Sequence, residues 1–120
     1  MAFDHESSLS VTVKSDGDGV LIVPQGDLDP GTVPTFEFCL ADALETGRKP
    51  IRIDLSQICF IDIAGYRALM RFGDRCERRT LVNEWINPSS SVELMFRTLG
   101  ELFDDRASEA DSPRGVAARP

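Results

Sequence analysis

Few side chains of this sequence are equipped for chemistry. Three carboxylates, Asp27, Asp29 and Asp62, fall at the ends of apolar runs. Gathered at one edge of a sheet, they could hold a cation or divide acid and base roles. Each also has a plainer use. Asp27 and Asp29 lie in Pro24-Gln25-Gly26-Asp27-Leu28-Asp29-Pro30-Gly31-Thr32, where Asp ordinarily forms turns, and Asp62 precedes a helical pattern, where it serves as an N-cap. We expect the plainer use, hence no metal and no cofactor. The sole histidine, His5, stands near the start, which argues against Ser-His-Asp, Cys-His and His-ligated metal sites. Cys39, Cys59 and Cys76 are odd in number and form no Cys-x-x-Cys pair, so reduced thiols in a cytoplasm are expected. Cys59 could meet a helix N-terminus that activates it, but within Ile58-Cys59-Phe60-Ile61 it reads as a small packing residue, and Cys39 and Cys76 read the same way. A non-enzymatic protein is the expectation.

Periodicity supplies the framework that carries these residues. Leu9, Val11 and Val13 alternate with polar residues, Asp16-Gly17-Asp18-Gly19 supplies a turn, and Val20 to Val23 form a second strand, making a hairpin. The stretch from Pro24 to Thr32 should break that strand. Thr32 then caps a helix with Pro34 in its first turn and Val33, Phe36, Leu40, Ala43 and Leu44 on one face, stopped at Gly47. Phe38 is expected to widen that apolar face. Ile51, Ile53 and Leu55 alternate with Arg52 and Asp54 as a central strand, and residues 56–62 read as a loop that delivers a helix N-terminus to the strand ends. The helix from Ala64 to Arg79 turns Leu69, Phe72, Gly73 and Cys76 inward. Arg67, Arg71, Asp74, Arg75 and Arg78 lie on its other face, a solvated surface or a docking surface for an acidic partner. Leu81 to Ile86 form a last strand. Ser90-Ser91-Val92-Glu93 reads as a capping box, and Val92, Met95, Phe96 and Leu99 form the inner face of a helix closed by Gly100.

The order β-β-α-β-α-β-α predicts an α/β fold with a mixed sheet of about four strands and helices mainly on one face. At 120 residues the chain fits one domain over 9–103, with a flexible lead over 1–8 and a disordered tail over 104–120. The net charge of -7 argues against nucleic acid and against anionic membrane surfaces as partners. No apolar run approaches the roughly 18 residues of a membrane span, and the polar start lacks the pattern of a signal peptide.

The stretch Asp54-Leu55-Ser56, then Phe60-Ile61-Asp62 and Gly65, resembles the signature of the STAS family, the domain of bacterial anti-sigma factor antagonists. Gly26-Asp27-Leu28-Asp29 before the first helix and Asn87-Pro88-Ser89 with Leu99-Gly100-Glu101-Leu102-Phe103 resemble the same family. The resemblance implies a compact α/β fold and a protein partner: an anti-sigma factor that is also a serine kinase. It places partner binding at Asp27, Asp62, Ile63, Ala64, Gly65 and Arg67. Between Asp62 and Gly65 the family usually carries hydroxyl side chains that accept phosphate, whereas this chain has Ile63 and Ala64. The resemblance therefore implies an antagonist without phospho-control at that position. Arg67 stands where the family usually has a small residue. Two other readings stay open: a STAS module that senses a small ligand near Asp27 and Asp62, and a scaffold that pairs with itself as a homodimer.

Overall fold

The computed structural model describes residues 8–102. The tail expected over 104–120, and residues 1–7 of the expected lead, lie outside the described residues. Eight elements follow in order: β1 (Leu9–Asp16), β2 (Gly19–Leu28), α1 (Val33–Glu45), β3 (Ile51–Asp54), β4 (Ile58–Ile61), α2 (Ile63–Arg78), β5 (Asn83–Ile86) and α3 (Ser90–Leu102). The sheet runs β1-β2-β3-β5, with β4 paired to β2 beyond the end of β3. β1 and β2 are antiparallel, and every other pairing is parallel.

The alternation read in the sequence sorts the two sheet faces. Val20, Ile22, Ile51, Ile53 and Trp85 point to the helical side and are buried there against Phe36, Leu40 and Leu44 of α1, Leu69, Phe72 and Cys76 of α2, and Val92 of α3. Phe96 of α3 meets both Trp85 and Tyr66 edge to face, each at 5.6 Å between ring centres. The other face carries Arg52, which reaches Asp16 at 3.0 Å and Glu84 at 2.7 Å and so crosses from β1 to β5. All three side chains are partly solvated, so the clamp guides register more than it stabilises.

The expected architecture is present, with several local differences. The strand count rises to five because Ile58–Ile61 is a strand rather than part of a loop. β2 does not stop at Pro24. It pairs with β3 through Ile22 and with β4 from Gly26, so the missing N–H of Pro24 falls where β2 changes parallel partners. β5 begins at Asn83, two residues later than the pattern of Leu81 to Ile86 suggests. The cap of α3 is Ser89 rather than Ser90. Its hydroxyl accepts from the Val92 N–H at 3.3 Å and donates to the Ile58 carbonyl at 2.8 Å, tying the helix to β4. Gly100 lies inside α3 and does not end it. Thr32 caps α1 by position only, because its hydroxyl donates to the Asp27 carbonyl at 2.7 Å instead of accepting from the helix. Phe38 does not widen the apolar face: it is 72% exposed, about 200° of helical turn from Phe36.

Cys76 is a packing residue, as expected. Burial pushes its thiol up to about 11 from an ordinary 9.0, against the opposing charges of Arg75 and Arg79. A thiol that stays neutral in the folded chain but ionises in the unfolded one adds stability below about pH 9 and loses it as pH rises toward 11. Urea unfolding should therefore show the protein weakening by about 2 kcal/mol across that window. Cys76→Ala, less stable throughout, should lose that part of the slope; an unchanged slope would place the titration elsewhere.

Candidate partner-docking site

The site is built where the ends of β2 and β4 meet the start of α2. Asp27 and Leu28 pair with Phe60 and Ile61, and a register shift between Gly26 and Asp27 lets the two strands finish together. Gly26 makes this shift with φ 124, and a Cβ there would lie 2.3 Å from the Ser8 carbonyl oxygen. The Asp62 N–H then donates to the Leu28 carbonyl at 3.1 Å, hanging the start of α2 from the last residue of β2.

Asp62 caps α2. One carboxylate oxygen, Oδ1, accepts from the backbone N–H groups of Ala64 at 2.9 Å and Gly65 at 3.2 Å. Asp29 does similar work at the neighbouring turn, where Oδ1 accepts from Gly31 at 3.0 Å and Thr32 at 3.1 Å. The plainer reading of these two carboxylates therefore holds, whereas Asp27, expected in a turn, lies within β2 and pairs with Phe60. Among the described residues, no group of three or more His, Cys, Asp or Glu side chains is placed to share a metal ion.

With the cap made by Asp62, the next side chain points outward. Ile63 is 39% exposed and Phe60, two residues before the cap, is 47% exposed. Arg67, one turn along α2 from Ile63, is exposed, while Asp27 and Ala64 are half-buried. Gly65 is buried against the sheet, where an added Cβ would lie 2.7 Å from Leu28 Cβ and 2.9 Å from the Leu28 carbonyl oxygen. The six residues singled out in the sequence thus cluster at one corner, with Gly65 acting from beneath. Two neighbours escape sequence reasoning. Phe60 reads as loop, and Cys59 reads as a packing residue but is exposed on β4. The pattern of β4, buried at both ends and exposed in the middle, departs from strand alternation, and all four of its residues are apolar, so no local signal marks the two that are exposed.

The family model of the STAS domain matches residues 10–107, most of the chain. The chain belongs to the STAS domain family. Solved structures agree on the fold. A putative anti-sigma factor antagonist from Thermotoga maritima superposes with a TM-score of 0.67 at 22% identity, covering 83% of this chain and 90% of its own. An antagonist from Mycobacterium paratuberculosis gives 0.64 at 19% identity, over 86% and 93%. The antagonist SpoIIAA in its unphosphorylated form gives 0.61 at 18% identity, over 83% and 97%. No curated protein matches the chain by sequence. No helix among the described residues is long and apolar enough to cross a membrane.

Two substitutions separate the roles of cap and floor. Asp62→Ala should cost about 1 kcal/mol by releasing two N–H groups. Gly65→Ala should cost about 1 to 3 kcal/mol, because backbone and Leu28 must both move. Thermal unfolding of the two variants checks this, and an unperturbed Gly65→Ala would show that the helix start is not pressed against β2.

Proposed function

We propose that this STAS domain is a non-enzymatic, cytoplasmic regulator of the anti-sigma factor antagonist kind, which binds an anti-sigma factor of the serine kinase type through the start of α2. The observation that carries the reading is the exposed pair Phe60 and Ile63 beside a helix start whose cap is already satisfied. An apolar patch with Asp27 and Arg67 at its rim is suited to a protein contact, since apolar and aromatic side chains supply most of the energy at such contacts. The fold neighbours named as antagonists support the same reading.

The surface differs from the family pattern in one respect that sets its regulation. A phosphoryl group at this helix start would add nearly two negative charges at the contact and oppose binding. Ile63 and Ala64 carry no hydroxyl, so the domain behaves as an antagonist held in the unphosphorylated state. Arg67 adds bulk and positive charge beside the patch, which selects for a partner with an acidic residue there.

The tagged chain should retain an anti-sigma kinase from its host, and Ile63→Glu should lose it, because a carboxylate would be desolvated against the partner. Incubated with that kinase and ATP, the parent should take up no phosphate and Ile63→Ser should take it up at the new hydroxyl. Phosphate uptake by the parent at Ser56 would end the claim of lost switching. Retention of STAS proteins alone would favour the scaffold.

A further inference from the structure

A cleft of about 150 Å³ opens between α1 and α2, away from the start of α2. Its floor is the buried Leu40, Ala68 and Phe72, and its rim is Glu37, Arg71 and Arg75. Glu37 and Arg71 already form a pair across it: one carboxylate oxygen, Oε2, accepts from Arg71 Nη2 at 2.6 Å and Nε at 3.1 Å. Arg75, one turn further along, is half-buried at the same rim and makes no ion pair or side-chain hydrogen bond among the described residues.

From these groups we infer that the cleft receives an acidic side chain from a protein partner lying along α2, with Arg75 as its receptor. Three features carry this. A guanidinium partly withdrawn from water without a partner forgoes both hydration and pairing, and a carboxylate would supply the missing acceptor. Arg71 and Arg75 sit four residues apart, a like-charge spacing that weakens a helix and is offset when an anion lies between them. The volume suits one side chain and falls below the range of about 300 to 1,000 Å³ typical of small-molecule sites. Asp74 and Glu77 share the helix but do not line the cleft.

The chain's charge of -7 adds direction. An acidic segment is repelled by most of the molecule and attracted to the face of α2 on which Arg67, Arg71, Arg75 and Arg78, with Asp74 among them, succeed one another over about 16 Å. Glu37 is then a built-in competitor, holding Arg71 until a partner carboxylate displaces it. This inference does not rest on the anti-sigma assignment.

The test uses a fluorescein-labelled alanine peptide with a glutamate at every fourth position, its glutamine counterpart, and anisotropy with the full chain. The glutamate peptide should bind and the glutamine peptide should not. Arg75→Glu should weaken binding by about tenfold or more, and Glu37→Gln, which frees Arg71, should tighten it by about threefold. Unchanged affinity in Arg75→Glu, weaker binding in Glu37→Gln, or equal binding of the two peptides would overturn the inference. Displacement of the peptide by glutarate at comparable concentration would assign the cleft to a small carboxylate instead, and also overturn it. Capture of a kinase through Ile63 and peptide binding through Arg75 are separate readouts, so either can fail alone.

Discussion

The backbone pairing of β2 is the constraint on which the rest of this domain depends. β1 lies along one edge of that strand over its whole useful length, and the other edge is divided between β3 and β4. A strand whose backbone groups are claimed on both sides cannot slip, because a shift of one residue would turn Val20 and Ile22 out of the core. The division of the second edge has a local cause. Pro24 has no N–H to offer, and the register shift between Gly26 and Asp27 re-aims the last residues of the strand. The same interruption that limits pairing with β3 leaves a place for β4.

Because β4 is paired to the end of β2, the start of α2 is fixed in space before any side chain of the site is considered. The Leu28 carbonyl, the Asp62 carboxylate and the missing Cβ of Gly65 together press the first turn of the helix onto the sheet. The four free N–H groups at a helix start usually attract an anion. Here two of them are taken by Asp62, and the corner turns outward an apolar surface from Phe60 and Ile63. A corner of this make is suited to contact by another protein more than to chemistry on a small molecule.

The packing of α1 against α2 has the complementary effect. It buries Leu40, Ala68 and Phe72, and it brings Glu37 of one helix to Arg71 of the other. The exposed face of α2 therefore joins an apolar corner at its start to a basic stretch at its middle and end. Both ends of that face belong to one rigid element, so a partner long enough to track α2 would meet them in a fixed order.

Local pattern was enough for much of this. The hairpin turn, the inward faces of α1 and α2, the central strand Ile51–Asp54 and the capping role of Asp62 are all written in the spacing of apolar residues and in side-chain chemistry that acts within four residues. The absence of a hydroxyl at Ile63 and Ala64 is likewise a property of the sequence itself. Tertiary structure decided the rest. β4 exists because it pairs with a strand some thirty residues earlier, Pro24 is tolerated because β2 changes partners there, and Ser89 displaces Ser90 as the cap because its hydroxyl can also reach Ile58. Exposure of Phe38, Cys59 and Phe60, and the placing of Arg75 at a cleft, depend on which neighbours arrive from elsewhere in the chain. Periodicity records which way a side chain faces its own element, whereas burial and pairing are set by contacts between elements far apart in sequence.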